Sequence, residues 1–220
     1  MTGDFIPVNI LATQLIANAS PSLCKALGLK GKIRTIGLIS TDCDDATYIA
    51  LDEATKSAHV EVVYGKSLYA GASNASTKLA GEVIGVIGGE NPSEVLSGLH
   101  AAVSLLHEIG FRTANDDGDI VYLAHCVSRT GSYLAKTAHV PVGQAIAYLI
   151  APPVEAIVGL DAALKASDVE MTQFFAPPSE TNFGGGLLTG TQSACLAACE
   201  AFAEAVRTVA NTPRGERYGI

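Results

Sequence analysis

Charge is scarce in this chain: Asp, Glu, Lys and Arg make up 16% of its 220 residues, against about 25% in an ordinary soluble domain. A basic excess is also missing, because 14 Lys plus Arg face 22 Asp plus Glu and the formal net charge is −8. Nucleic acid and anionic membrane surfaces are thereby excluded as partners, since both need a cationic face that displaces counterions. With 48% hydrophobic residues and so little charge, the chain is far from the composition of disordered segments. The neutral surface that remains is what burial between subunits would require.

The opening residues, MTGDFIPVNILATQLIANAS, carry no basic region ahead of their apolar stretch, so a cytosolic chain is expected. The longest uncharged runs, Thr137 to Val154 and Thr181 to Cys199, are interrupted by Pro141, Pro152 and Pro153 or by Gly184 to Gly186. Neither offers the roughly 20 apolar helical residues of a membrane span. Cys24, Cys43, Cys126, Cys195 and Cys199 are odd in number and include no CxxC pair, which predicts reduced, buried thiols.

Catalytic motifs are equally lacking. There is no P-loop, no GxGxxG after a strand and no GxSxG elbow, so phosphoryl transfer and nucleophilic hydrolysis lose their usual machinery. His125 adjoins Cys126, but neighbours on a strand point to opposite faces and cannot form a dyad there. His59, His100, His107 and His139 stand singly, and His100 and His107 are expected on the solvent face of one helix.

What the chain does have is an internal repeat. Leu51 to Glu61 (LDEATKSAHVE) and Leu160 to Glu170 (LDAALKASDVE) agree at six of eleven positions with a constant offset of 109. A period of that length is a small domain, so the sequence is a tandem duplication. Two α+β domains are expected, 1–110 and 111–217. In the first copy, strands are predicted over Arg34–Ser40, Val60–Tyr64 and Glu82–Ile87, and a helix over Thr47–Ala58. A second helix begins with Asn91 as cap, Pro92 at its first position and Glu94 placed to reach back to the cap. In the second copy, strands are expected at Ala145–Ala151, Val169–Phe174 and Leu187–Leu188. The closing helix buries Cys195, Cys199, Phe202, Val206 and Val209. The first 30 residues read as a helical lead-in with Leu11, Leu15 and Ile16 on one face. Two long loops, Ser67–Gly81 and Ala176–Gly186, occupy equivalent places in the copies, and loops of that length are commonly functional.

Asp42, Asp44 and Asp45 crowd three carboxylates behind a predicted strand. Such crowding needs a cation, water or a helix N-terminus to offset it. One reading has Asp44 or Asp45 capping the helix that starts near Thr47; the other is a cation site. The corresponding alternative for the whole chain is a small metal-dependent hydrolase using Asp42 to Asp45.

Four long strings are similar to a known family: RTIGLISTDCDDATYIALDEATKSAHVEVVYGKSLYAGAS, LAHCVSRTGSYL, YLIAPPVEAIVGLDAALKASDVE and PPSETNFGGGLLTGTQSACLAAC. They resemble the L-type shell proteins of the bacterial ethanolamine-utilisation microcompartment, from about Ile33 to Val206. The resemblance implies two fused, circularly permuted shell domains, each a small antiparallel sheet with flanking helices, and a protein that is not an enzyme. It implies a homotrimer that imitates a hexamer, packs with other shell proteins into the microcompartment in the cytoplasm, and passes metabolites through a gated central pore. The two long loops would be its gates. It also implies ethanolamine as ligand at a small pore, with Asp44, Asp45, Glu82, Phe111, Thr181, Asn182 and Phe183 at the matching positions. Carboxylates suit the ammonium of ethanolamine, Thr181 or Asn182 its hydroxyl, and Phe111 and Phe183 a wall with a cation–π contribution of about 0.5–2 kcal/mol. No cofactor is required, although the family's association with zinc at the central pore falls on Glu155. One carboxylate per subunit on a threefold axis makes a weak zinc site, and an exposed side chain after a diproline turn is the alternative for Glu155.

Overall fold

The duplicated stretches fold alike in a computed structural model of the chain, which describes residues 1–67, 83–177 and 182–214. The described strands are β1 (Phe5–Pro7), β2 (Ile10–Ile16), β3 (Thr35–Thr41), β4 (Glu61–Ser67), β5 (Val83–Gly89), β6 (Gly110–Thr113), β7 (Val121–Val127), β8 (Ala145–Ala151), β9 (Val169–Phe175) and β10 (Gly184–Gly190). The helices are α1 (Pro21–Ala26), α2 (Asp44–Ser57), α3 (Pro92–Leu106), α4 (Ser132–Thr137), α5 (Pro153–Ala166) and α6 (Gln192–Asn211). One sheet has the order β2-β3-β5-β4; the other repeats that order as β7-β8-β10-β9 and adds β6 and β1 beyond β7. The pairings of β2 with β3, β3 with β5, β4 with β5 and their counterparts are antiparallel. Each copy is therefore the α+β module expected from the sequence, an antiparallel sheet flanked by helices.

Contacts group the chain into two compact units. One comprises residues 1–6, 110–129 and 137–220, and the other residues 7–109 and 130–136. A cut of the sequence at 110/111 would instead leave residues 1–6 with the first copy and 130–136 with the second.

In the unit built on residues 7–109, β3 (TIGLIST) is buried at five of its seven positions, as a strand paired on both sides should be. The sheet is covered by α2 and α3, with Ile39, Leu51, Ile87, Val95, Leu99 and Leu106 buried. Asn91 caps α3 as expected, its side-chain oxygen accepting from the Glu94 N–H at 3.0 Å. Glu94 does not close the predicted capping box. Its carboxylate accepts instead from the His59 N–H at 2.7 Å, tying α3 to the turn before β4. His100 and His107 are exposed on or beside α3, as the spacing predicts.

The lead-in is a strand where a helix was expected. Leu11 and Leu15 share a face in either geometry, because an interval of four is even and also close to one helical turn. Pairing with β3 from Ile10↔Thr41 to Ile16↔Ile36 decides for the strand. The only helix in the lead-in, α1, spans six residues.

In the other unit β8 (AIAYLIA) is buried at every position, and α5 and α6 cover the sheet. Cys195, Cys199, Phe202 and Val206 lie in the core on α6, whereas Val209 is half-buried. Five free thiols are present, three of them buried and two half-buried, and burial pushes the Cys195 thiol up to about 11. The predicted strand Leu187–Leu188 is seven residues long and begins at Gly184, so the three glycines belong to β10 rather than to the preceding loop. At Gly185 the backbone packs against the Leu149 carbonyl and leaves no room for a Cβ, which explains why glycine occupies the strand here. No helix among the described residues is long and apolar enough to cross a membrane.

Candidate functional site

The acidic run falls at the junction of β3 and α2. Asp42, Asp44 and Asp45 are all buried, at 4%, 4% and 7% exposure. Their roles differ. Asp42 clamps the lead-in, accepting from the Asn9 backbone N–H at 2.8 Å and from its side-chain amide at 2.6 Å. Asp44 and Asp45 are not caps of a helix starting at Thr47, because α2 itself begins at Asp44. They occupy its first turn, where negative charge is stabilised by the exposed N–H dipoles. The residue before the helix, Cys43, makes no side-chain cap. Thr41 and Thr47 take up the slack: the Thr41 hydroxyl accepts from the Cys43 N–H at 3.0 Å, and the Thr47 hydroxyl donates to the Cys43 carbonyl at 2.7 Å.

Asp44 faces a hydroxyl relay. One carboxylate oxygen accepts from the Asp45 N–H at 2.8 Å, the other from the Ser67 hydroxyl, and Ser67 lies 2.8 Å from the Tyr48 hydroxyl. Burial pushes the Tyr48 phenol well above its ordinary range, and the Asp44 charge adds to the effect. With the Ser67 proton directed at Asp44, the Tyr48 hydroxyl is the donor to Ser67. Such an arrangement of carboxylates and neutral hydroxyls suits a small cation that also hydrogen-bonds.

Of the remaining expected ligands, Phe111, Asn182 and Phe183 belong to the other unit. Phe111 on β6 is fully buried, and its ring meets that of Phe183 at 5.7 Å between centroids with a 52° tilt, a favourable aromatic geometry. Asn182 is exposed and adopts a left-handed backbone, φ 66°, just before β10, a conformation asparagine tolerates better than most residues. Glu82 and Thr181 lie outside the described residues, as does most of the Ser67–Gly81 loop.

Glu155 corrects the picture of an exposed side chain after a diproline turn. It stands in the first turn of α5 behind Pro152 and is buried, at 9% exposure. Among the described residues no three His, Cys, Asp or Glu side chains cluster as a metal site. Two clefts each lie within one unit. One of about 500 Å³ includes His59, Glu61 and Glu94, and one of about 350 Å³ includes Gln144, Asp168 and Glu170. Neither involves an expected site residue.

One residue that the sequence reading passed over is Asp52. It is completely buried on α2, and its two oxygens accept from the Gly131 N–H at 2.7 Å and the Leu134 N–H at 2.8 Å. Thr55 adds a bond from the Ser132 N–H at 3.0 Å, and the Tyr48 and Tyr133 rings stand 6.3 Å apart. Residues 130–136 are thereby fastened to α2. The available signal was the repeat, which retains an Asp at both 52 and 161 and a Lys at both 56 and 165.

Comparison with known proteins bears on both units. The family model for the BMC domain matches residues 35–115. Over 216 residues the chain is 60% identical to the bacterial microcompartment shell protein EutL of Clostridium perfringens, covering 98% of this chain and all of that protein. It is 51% identical to EutL of Escherichia coli, with 96% of each chain covered. The crystal structure of EutL from Leptotrichia buccalis superposes with a TM-score of 0.93 at 60% identity, over 98% of this chain and 100% of that one. A trimeric shell protein, PduB, shares the fold alone, with a TM-score of 0.75 at 20% identity over 93% of this chain and 90% of that one. The duplicated antiparallel modules and the likeness along nearly the whole chain lead to one conclusion: this chain belongs to the EutL family of bacterial microcompartment shell proteins.

Proposed function

We propose that the chain is a trimeric tile of the ethanolamine-utilisation microcompartment shell, in which each subunit supplies two modules to a six-module ring around a gated pore for small polar metabolites. The observation that carries this reading is the repetition of one sheet order, β2-β3-β5-β4 and β7-β8-β10-β9, within a single chain. Two like modules per chain make a sixfold arrangement from three chains, and cyclic closure buries neutral surface of the kind this composition provides. Electron microscopy of concentrated protein tests it, with two-dimensional hexagonal sheets expected. Zinc at the central pore belongs to the same proposal. Glu155 from three subunits would supply oxygen ligands only, a donor set that zinc binds weakly.

Ethanolamine is the ligand we propose for the tile. Asp44, Asp45 and Glu82 would hold the ammonium, and Thr181 or Asn182 the hydroxyl. Phe111 and Phe183 would supply an apolar wall. The resemblance implies this set, and the chemistry of the β3–α2 junction supports it, since Asp44 accepts from the Ser67 hydroxyl, which in turn meets the Tyr48 hydroxyl. In calorimetry with ethanolamine, Asp45→Asn and Glu82→Gln should each weaken binding by at least about tenfold, the cost of one charge-assisted hydrogen bond. Unchanged affinity in both variants rejects the site. The hydrolase alternative finds no support: the relatives are named shell proteins, and the Asp42 carboxylate is committed to Asn9.

A further inference from the structure

We propose that Ser67 and Tyr48 are positioning residues of the ethanolamine site, fixing the Asp44 carboxylate in the orientation in which it meets the ammonium. The inference deepens the ligand reading above and rests on it.

The order of donors gives the relay a direction. The Ser67 hydroxyl has one proton and gives it to Asp44, so it accepts from the Tyr48 hydroxyl at 2.8 Å. The other oxygen of Asp44 takes the Asp45 N–H at 2.8 Å. Donors on both oxygens set the plane of the carboxylate before a cation arrives, and a ligand then spends less of its binding energy on ordering the site.

The far end of the relay is anchored by packing. The Tyr48 ring stands 6.3 Å from that of Tyr133 with a 51° tilt. Tyr133 lies on α4, which Asp52 fastens to α2 through the Gly131 and Leu134 N–H groups. Gly65 on β4 completes the slot: a Cβ there would stand 3.0 Å from the Tyr133 hydroxyl oxygen and 3.4 Å from the Tyr48 ring. Tyr48 is thereby held where its hydroxyl reaches Ser67.

The duplicate copy shows that the fold does not require this relay. β9 pairs with β10 as β4 pairs with β5, and each strand skips one residue, Thr172 and Val63, at the same place in the register. In that common register, with the offset of 109, Pro153, Ile157, Phe174 and Ala176 stand at the positions of Asp44, Tyr48, Gly65 and Ser67. The module therefore forms with side chains at this corner that carry neither a carboxylate nor a hydroxyl. Asp44 is nevertheless buried in the first copy, at 4% exposure. A buried carboxylate with its own supporting hydroxyls, at a place the architecture can fill with proline, is accounted for by what the carboxylate holds.

The relay also predicts a ranking. Loss of the Ser67 hydroxyl removes the donor that touches Asp44, whereas loss of the Tyr48 hydroxyl leaves that donor in place but less well aimed. In calorimetry of the full-length protein with ethanolamine, Ser67→Ala should weaken binding about tenfold, the size of one hydrogen bond to a charged group. Tyr48→Phe should weaken it about threefold, closer to a neutral hydrogen bond. Ser67→Thr, which returns the hydroxyl on a strand that accepts a β-branched residue, should recover the binding that Ser67→Ala loses. Far-UV circular dichroism should show all three variants folded, as the duplicate module with Ile157 and Ala176 is. Wild-type affinity in either Ser67→Ala or Tyr48→Phe, or a loss in Ser67→Thr as large as in Ser67→Ala, overturns the positioning role and leaves the ligand reading standing. A wild type that binds no ethanolamine overturns both.

Discussion

Removing the Asp52 carboxylate strands two backbone donors, the N–H groups of Gly131 and Leu134, in a site closed to water. Asp52→Ala is expected to destabilise the unit by about 2–4 kcal/mol, because each unmet buried donor costs about 1–3 kcal/mol and loss of a buried charge returns part of it. The pH dependence has a definite sign. Burial raises the Asp52 carboxyl above its ordinary value, more than the two N–H donors lower it. In the interval between the unfolded and folded values the native state holds the extra proton. Stability from this residue is therefore full below the ordinary aspartate value near 3.9 and declines as pH rises through the folded value. Urea unfolding from roughly pH 3 to 7 should show wild type losing stability relative to Asp52→Asn as pH increases; a difference that grows in the opposite direction contradicts this assignment. The sequence showed a repeated Asp here but not its partner, because the N–H groups it holds come from residues 79 and 82 positions away. For the same reason the clamp of Asp42 on Asn9 was invisible, whereas the short-range cap of Asn91 on Glu94 was legible.

At the scale of elements, the two copies solve one packing problem with opposite volumes. Gly159 on α5 faces Phe202 on α6 so closely that a Cβ would come within 2.6 Å of the ring. With the offset of 109 on α2 and α5, and with the caps Asn91 and Thr191 of α3 and α6 matched, the corresponding residues in the other copy are Ala50 and Ala102, both buried. Gly159→Ala should consequently cost about 1–3 kcal/mol, since a fully buried Phe202 ring cannot move aside in a close-packed core. Thermal or denaturant unfolding of that variant measures it, and a stability equal to wild type would mean that the helices separate freely. Elements whose partners lie nearby in sequence or whose apolar pattern is continuous were readable: β3 and β8 lie within one residue of their predicted limits, α3 starts at Pro92 as predicted, and α6 buries four of its five predicted core residues. The lead-in was not, because the spacing of Leu11 and Leu15 fits a helix and a strand equally, and only pairing with β3 selects between them. Likewise the glycines of β10 read as loop, although their lack of a side chain is what lets the strand approach Leu149.

For the whole molecule, the family and its two-module construction were legible because they are written in long contiguous strings and in a repeat with constant offset. The ligand set is different in kind. Asp44 and Asp45 belong to one unit and Phe111, Asn182 and Phe183 to the other, so spacing along the chain carries no information about how they would share a ligand. The ring makes a simpler demand than the ligand does: it requires that chains associate in threes. Sedimentation equilibrium of the purified protein measures this directly. The account predicts a single species of three times the 22.6 kDa chain mass, and a stable species of one chain across the accessible concentration range would contradict it.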